Sequence, residues 1–142
     1  MRLLDVNVLI NAHRREADRH KDYREYVESM VNGDQTYAVS DFVINGFVRV
    51  VTNQRAWRPS TPLDDALRFG ESVRNQPHAV VVGPGERFWG IFTRICRQAG
   101  VTAKLVPDAY LAALAMEHGC EFITADRDFA RFPGLRWRHP LG

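Results

Sequence analysis

Residues 3–10 read LLDVNVLI, an apolar run that is interrupted by one carboxylate, Asp5, and one amide, Asn7. The run has the composition of a buried strand, and a charged side chain in such surroundings is costly unless it is paired. Asp5 falls at the end of this strand, where it reaches an edge of the sheet. We therefore take Asp5 as the first candidate for a functional residue, and Asn7 as a neutral partner that orients it by a hydrogen bond.

Three further short runs predict the remaining strands of the sheet. The predicted strands are Leu3 to Val6, His78 to Val82, Glu121 to Thr124 and a short edge strand over residues 136–138. Runs that are apolar on both sides are typical of strands buried on both faces of a parallel sheet.

Segments with apolar residues at helical spacing separate these strands. We predict helices over residues 19–31, 41–51, 86–98 and 107–118, with caps or stops that include Ser40, Gly100 and Gly119. A further helix starts within residues 61–64, with a cap residue and a proline in its first turn. Strands that alternate with helices require crossover connections and define an α/β fold. No repeat or linker divides residues 1–142, so we expect one three-layer α/β/α domain with a central parallel sheet.

The periodicity also predicts which helical side chains face the core. The core-facing residues are expected to be Leu63, Ala66, Leu67, Phe69 and Val73 in one helix, and Phe88, Trp89, Phe92, Ile95 and Cys96 in the next.

The composition narrows the class of protein. The formal net charge of the 142 residues is +2, and Lys21 and Lys104 are the only lysines, so arginine carries nearly all positive charge. Arginine pairs bidentately with phosphate, but an arginine-rich proteome explains the same bias. No apolar stretch is long enough to span a membrane, and no secretory signal is visible. Two cysteines in apolar contexts favour the reducing cytoplasm over a disulfide framework.

Four acidic residues occupy positions that a parallel sheet brings to one edge. Asp5 follows the first strand, Asp108 opens a helix, and Asp126 and Asp128 follow the strand at residues 121–124. Two bare carboxylates ~4 Å apart repel by roughly 4 kcal/mol at an effective dielectric constant of ~20, so such a cluster needs a cation or shifted pKa values. Oxygen ligands favour Mg²⁺ or Mn²⁺. As alternatives, Asp108 caps its helix, and Asp126 and Asp128 are ordinary turn residues.

Three segments together resemble a known family. LLDVNVLINA at residues 3–12, GFVRVVT at 46–52 and PDAYLAALAMEHGCEFITADRDFARFPGL at 107–135 are similar to PIN-domain ribonucleases, and more narrowly to the VapC toxins of bacterial toxin–antitoxin pairs. The resemblance runs nearly from end to end. It implies a PIN-like parallel sheet flanked by helices over residues 1–142.

The resemblance also implies roles for individual residues. Asp5, Asp108 and Asp126 match the carboxylates that hold the metal ion, with Asp128 as a supporting acid, and these four form the predicted catalytic group. Thr124 matches a hydroxyl residue near the metal. The implied activity is Mg²⁺-dependent hydrolysis of an RNA phosphodiester bond, with Mn²⁺ as a substitute metal.

The chain departs from the family pattern in the helix that begins at Asp41. Family members usually carry a glutamate there, whereas this chain has Asn45 and Gly46, and Asp41 lies more than a turn earlier. Arg49 is close to the position of the missing glutamate, and it either faces the phosphate of the RNA or lies on the surface. The departure keeps open a second interpretation, a degenerate PIN domain that binds RNA or a protein without cleaving it.

Substrate and partner surfaces follow from basic, aromatic and amphipathic segments. Arg14, Arg15 and Arg49 are the predicted RNA contacts, although a solvated helix face explains the first two equally well. Trp57, in the loop NQRAWRPSTP, either stacks on an unpaired base or anchors the loop. The resemblance further implies a homodimer and a cognate VapB-type antitoxin, whose helix would occupy a groove formed by residues 19–31 and 41–51.

A phosphoacceptor receiver domain, also α/β with acids at strand ends, is the third interpretation. It requires an aspartate after a central strand and a late lysine after another strand. The chain has no aspartate between Asp41 and Asp64, and Lys104 precedes Pro107 in a loop, so this interpretation is disfavoured.

Overall fold

The core of the protein is a sheet of five parallel strands in the order β3-β2-β1-β4-β5. A computed structural model describes all 142 residues. The strands are β1 (Arg2–Leu4), β2 (Tyr37–Val39), β3 (Ala79–Val81), β4 (Glu121–Ile123) and β5 (Trp137–Arg138).

Six helices flank the sheet and complete the α/β/α architecture that the sequence predicts. They are α1 (Val6–His13), α2 (His20–Val31), α3 (Asp41–Val51), α4 (Leu63–Arg74), α5 (Phe88–Ala99) and α6 (Val106–Glu117), with short 3₁₀ turns at Ala103–Leu105 and Arg127–Arg131. None of the helices combines the length and the apolarity that a membrane span needs.

The two central strands and α6 are the most deeply buried elements. Leu3 of β1 and Phe122 of β4 are fully buried, and so is most of α6 from Ala109 to Ala115. Parallel strands covered on both faces can be apolar throughout, which is the pattern that β1 and β4 show. The buried centre holds the ends of β1, β4 and α6 in fixed positions relative to each other.

Two elements, α1 and β2, are missing from the sequence-based prediction. The strand predicted over Leu3 to Val6 ends at Leu4, and α1 starts at Val6 with Asp5 as its N-cap. Helix and strand cannot be distinguished by periodicity within one continuous apolar run, so the run hides the boundary. Strand β2 has only three residues, too few to show an alternation.

The prediction that residues 78–82 are buried on both faces is wrong. Strand β3 pairs only with β2 and forms an edge of the sheet, so Val80 and Val81 are 40% and 45% exposed. Apolar composition predicted a strand correctly here, but it does not specify the place of that strand in the sheet.

The predicted core faces of α4 and α5 are partly wrong. Leu63 and Leu67 are 58% and 41% exposed, and α4 instead buries Ala66, Gly70 and Val73. Trp89 of α5 is 68% exposed, whereas Phe88 and Ile95 face the core. Helix α4 buries small residues, whereas α5 buries the large side chains Phe88 and Ile95, so residue size alone does not predict which face is buried.

Candidate active site

The site begins where β1 and β4 end side by side. Leu4 pairs with Ile123, and the backbone N–H of Asp5 continues the ladder with a 2.9 Å hydrogen bond to the Ile123 carbonyl. The next residues of both strands, Asp5 and Thr124, therefore lie together at the carboxyl edge of the sheet. In an open parallel sheet this edge is where sites form.

Asp5 is buried and held by three hydrogen bonds. Its Oδ1 accepts from the backbone N–H of Val6 at 2.7 Å, and its Oδ2 accepts from the Thr124 hydroxyl at 2.7 Å and from Nδ2 of Asn7 at 3.1 Å. The predicted hydrogen bond between Asn7 and Asp5 is therefore present. Burial raises the pKa of Asp5, with the charge of Asp126 adding to the rise and these hydrogen bonds opposing it.

Thr124 is the centre of a wider network that includes the third acid. Its hydroxyl oxygen also accepts from Nδ2 of Asn7 at 3.3 Å and from the backbone N–H of Asp126 at 3.0 Å. Asn7 accepts in turn from the backbone N–H of Ala125 at 3.1 Å. The network ties the start of α1 to the turn that follows β4.

Asp126 and Asp128 lie in that turn. Asp126 caps the 3₁₀ turn Arg127–Arg131, since its Oδ1 accepts from the backbone N–H of Asp128 at 2.9 Å. Asp126 is half-buried and Asp128 is exposed. The predicted turn role of Asp126 is therefore present, and capping engages only one of its two carboxylate oxygens.

Asp108, in the first turn of α6, completes the cluster. Its pKa is raised to about 6 by burial, by the negative charges of Asp5 and Asp126, and to a smaller degree by Asp128. The structure therefore brings all four predicted acids close enough to interact, although they come from three separate parts of the chain. We name Asp5, Asp108, Asp126 and Asp128 the acidic cluster.

Arg131 is a member of the site that sequence reasoning missed. Its positive charge lowers the pKa of Asp108, and its Nη2 lies 3.6 Å from Oδ2 of Asp128. The three-residue spacing from Asp128 was the available signal, because side chains at this distance meet on a helical turn. Arg131 offsets only part of the negative charge of the cluster.

The donor set of the acidic cluster suits a hard divalent cation. All candidate ligands are carboxylate oxygens, and burial together with the charges of Asp5 and Asp126 raises the pKa of Asp108. No three His, Cys, Asp or Glu side chains are arranged to hold one ion together. Mg²⁺ usually keeps several bound waters and binds through one or two carboxylates. The acidic cluster therefore suits Mg²⁺ better than an ion whose ligands all come from protein side chains.

Gly46, which stands where the family usually carries a glutamate, lies next to this site. A Cβ added to Gly46 would come within 3.1 Å of Cγ2 of Val6, the residue next to Asp5. Val6 thus occupies the space that a larger residue on α3 would need. Asp41 is not part of the acidic cluster, since it forms an ion pair with Arg74 on the surface.

The three predicted RNA-contacting arginines lie in different environments. Arg14 is buried and donates to Oγ1 of Thr61 at 2.9 Å and to the Pro59 carbonyl at 2.8 Å, so its guanidinium is engaged within the protein and does not lie on a solvated helix face. Arg15 is exposed just beyond the C-terminal end of α1, the helix that Asp5 caps at its other end. Arg49 is exposed on α3, one turn beyond Gly46.

This fold and its acidic edge define a PIN domain, and the PIN-domain family model matches residues 2–135. A VapC ribonuclease of Mycobacterium bovis is 41% identical over 99% of this chain and 96% of its own length. Ribonuclease VapC25 of Mycobacterium tuberculosis is 38% identical over 99% of both chains. The chain therefore belongs to the VapC ribonucleases of the PIN-domain family, as its three sequence segments predicted.

Solved structures share the fold at low sequence identity. VapBC2 from Rickettsia felis, bound to a DNA fragment from its promoter, superposes with a TM-score of 0.70 at 15% identity, covering 97% of each chain. VapC20 of Mycobacterium tuberculosis, described as a Sarcin-Ricin loop cleaving toxin, gives 0.66 at 13% identity, covering 96% of this chain and 99% of that one. These likenesses confirm the predicted fold class.

Proposed function

We propose that this protein is a Mg²⁺-dependent endoribonuclease and the toxic component of a type II toxin–antitoxin system. The observation that carries the proposal is the acidic cluster, which joins carboxylates from the ends of β1 and β4 and from the start of α6. Burial raises the pKa of Asp5 and of Asp108, and the charge of Asp126 adds to both rises. The ribonuclease names of the full-length relatives support the same activity.

In this proposal Asp5, Asp108 and Asp126 would hold the metal ion, one or two of them directly and the others through its bound waters. The bound ion would lower the pKa of a water and neutralise negative charge on the phosphoryl group. Thr124 and Asn7 fix the orientation of the Asp5 carboxylate through the hydrogen bonds described above. These two residues are thus positioning residues for a metal ligand.

A carboxylate that does not bind the metal directly, Asp126 or Asp128, would accept the proton of the attacking water. Asp128 is exposed and Asp126 has one oxygen engaged in its cap, so either of them has an oxygen free to accept that proton. The water oxygen forms the new bond to phosphorus while the bond to the 3′ oxygen breaks. The products are a 5′-phosphate and a 3′-hydroxyl end.

The decisive experiment compares Asp5→Asn with the wild type on total cellular RNA. Asp34, exposed in the turn after α2 and outside the acidic cluster, provides the matched control Asp34→Asn. We expect Mg²⁺-dependent cuts with 5′-phosphate ends from the wild type and from Asp34→Asn, and none from Asp5→Asn, with unchanged circular dichroism. Unchanged cutting by Asp5→Asn would refute the proposed site.

Gly46 is the observation that favours the alternative, a degenerate PIN domain without activity. It leaves α3 without the acid that the family usually carries, and Val6 fills the space. A wild-type protein that binds RNA or a protein partner but makes no cut with Mg²⁺ or Mn²⁺ would establish this alternative.

A groove between α1, α2 and α4 provides the proposed antitoxin site. Its volume is about 570 Å³, and charged or imidazole groups such as Arg15 and Arg24 surround apolar side chains such as Val27 and Phe69. This composition suits an amphipathic helix with acidic flanks. Helix α2 lines the groove as expected, whereas α3 does not. VapBC complexes among the structural neighbours support a VapB-type partner.

A row of aromatic rings supports the proposed homodimer. It runs from Phe42 through Tyr110, Phe88 and Phe92 to Trp89, with centroid separations of 4.6, 4.9, 5.7 and 5.6 Å. Both ends of the row are exposed, at 43% for Phe42 and 68% for Trp89. Large exposed aromatic side chains are typical of interface anchors.

We further propose that residues 1–142 form one PIN domain that acts in the cytoplasm. Strand β5, at Trp137–Arg138, lies beyond the family match at residue 135 but pairs with β4 of the same sheet. Both cysteines are free thiols, which suits a reducing compartment where RNA is also present.

A further inference from the structure

The loop between α3 and α4 presents an unusual concentration of RNA-binding chemistry. It carries Arg55, Trp57 and Arg58, with both arginines exposed. Neither arginine forms an ion pair, although eight ion pairs occur elsewhere in the protein. Two unpaired guanidinium groups beside an indole ring are suited to phosphates and to an unstacked base.

Arg14 anchors the loop through hydrogen bonds and through contact with the Trp57 ring. The guanidinium of Arg14 binds Thr61 and the Pro59 carbonyl, and its central carbon lies 4.9 Å from the centroid of the Trp57 ring. His13 adds a 3.1 Å contact from Nε2 to the Thr61 hydroxyl oxygen. Arg14 therefore covers part of the Trp57 ring and holds the ring in place, while the ring remains half-exposed.

Trp57 stands between two open cavities. One, of about 500 Å³, is lined by Trp57 together with Asn11, Glu16, Ala17, Asp18, Arg19, Tyr23 and His139. The other, of about 400 Å³, is lined by Trp57 and by loop residues that include Arg55 and Arg58. Of the two acids in the first cavity, Glu16 is paired with Arg14, whereas Asp18 forms no ion pair, since Arg19 pairs with Asp22. Asp18 is therefore the one unpaired negative charge that an extended RNA strand would meet beside Trp57.

The first cavity includes Asn11 of α1, the helix whose N-cap is Asp5. Asn7 contacts Asp5, and Asn11 follows four residues later, about 6 Å away on the same face. His139 lines the cavity from the other side, and burial together with the charges of Arg127 and Arg19 lowers its pKa. Arg127 lies between Asp126 and Asp128 in the chain, so its effect on His139 brings the turn that carries these two acids near the cavity.

We propose that the Trp57 loop is a nucleotide subsite, in which Trp57 stacks on an unpaired base near the cleaved bond and Arg55 and Arg58 bind the adjoining phosphates. The inference rests on the proposed ribonuclease function and names its substrate class as single-stranded or looped RNA. A duplex cannot supply the base, because its bases are already stacked on each other.

The test measures RNA binding by full-length protein that carries Asp5→Asn, in the presence of Mg²⁺, so that binding is separated from cleavage. The probe is a fluorescein-labelled oligouridylate of about twelve nucleotides, followed by fluorescence anisotropy. We expect Trp57→Ala to weaken binding about tenfold and Trp57→Phe, which retains an aromatic face, to weaken it by about twofold or less. A blunt RNA duplex of the same length should not distinguish the three proteins.

A second pair of variants leaves Trp57 unchanged and tests the two arginines of the loop. Arg55→Gln with Arg58→Gln alters only exposed side chains, and Arg94→Gln with Arg97→Gln on α5 is the matched control of equal charge. Loss of two phosphate contacts should reduce the slope of log affinity against log salt by about 1.4 for single-stranded RNA. The control pair should leave the slope unchanged.

Two results overturn the inference, and they are distinguishable. If the wild type cuts RNA with Mg²⁺ but neither Trp57→Ala nor the Arg55 and Arg58 pair alters binding, the subsite is refuted and the ribonuclease function stands. If the wild type neither cuts cellular RNA nor binds the oligouridylate, the proposed function fails and the subsite fails with it.

Discussion

The Thr124 hydroxyl donates a 2.7 Å hydrogen bond to Oδ2 of Asp5, joining two residues 119 positions apart in the chain. Thr124 is completely buried and Asp5 is only 6% exposed. The contact exists because β1 and β4 are neighbours in the sheet, so the residues that follow them meet at its edge. It fixes the orientation of the carboxylate on which the proposed metal site depends.

Replacing Thr124 by Val removes this contact while keeping the shape of the side chain. Asp5, Asn7 and the backbone N–H of Asp126 each lose a partner in a buried setting. We expect the free energy of unfolding of the metal-free protein to fall by about 1–3 kcal/mol, measured by urea denaturation. Thr124→Ser, which keeps the hydroxyl, should lose less of the hydrogen-bonding contribution. Equal stability of Thr124→Val and the wild type would contradict this account of the network.

The raised pKa of Asp108 predicts a pH dependence of stability. The pKa is about 6 in the folded protein against an ordinary value of 3.8, so the folded state keeps a proton that the unfolded state has lost. This contribution to stability is fully present below 3.8 and is lost as the pH rises through about 6. The free energy of unfolding of the metal-free protein should therefore decline over this window.

Asp108→Asn should reduce that decline and leave the part that the raised pKa of Asp5 contributes, and Asp34→Asn should preserve the whole decline. Mg²⁺ competes with the same proton, so its stabilisation of the wild type in thermal denaturation should be larger near pH 7 than near pH 5. If Mg²⁺ stabilised the protein equally near pH 5 and near pH 7, Asp108 would not be a ligand of the metal ion.

Arg14 and Arg15 are adjacent in the chain but should differ sharply on substitution. Arg14→Gln deletes buried hydrogen bonds to Thr61 and Pro59 and should lower the free energy of unfolding by about 2 kcal/mol. Arg15→Gln, at an exposed position, should change it by no more than about 0.5 kcal/mol. Chemical denaturation of both variants measures the difference, and similar losses would mean that burial does not determine the role of Arg14.

The proposed homodimer predicts a specific effect at Trp89. Trp89→Asp places a charge on the exposed end of the aromatic row and should shift the protein from dimer to monomer, as measured by light scattering during size-exclusion chromatography. Glu71→Gln, exposed on α4, serves as the control and should remain dimeric. A wild type that is monomeric at high concentration, or a dimeric Trp89→Asp, would place the dimer interface elsewhere or exclude it.

Several expectations needed only local information in the sequence. The apolar runs at β1 and β4, the helical stripes of α2 and α3 and the glycine stop after α5 are local signals, and they predicted the α/β class correctly. Asp5 was conspicuous because a carboxylate is costly within an apolar run. The hydrogen bond between Asn7 and Asp5 was predictable for the same reason, since the two residues are only two positions apart.

Other features depended on which elements become neighbours. The continuous run at residues 3–10 conceals the change from β1 to α1, and composition does not show that β3 is an edge strand or that Trp89 faces outward. Arg14 and Arg15 are adjacent residues of the same type, yet Arg14 is buried under the Trp57 loop and Arg15 is exposed.

The sequence by itself therefore determined the fold class, the family and the identity of the four acids. Only the tertiary structure decided that Thr124 bonds to Asp5, that Asp108 has a pKa of about 6 and that Val6 fills the space beside Gly46. The physical reason is the distance along the chain over which each interaction acts. Periodicity and capping involve residues a few positions apart. Burial and charge repulsion involve groups from distant parts of the chain, which the order of the parallel strands brings together.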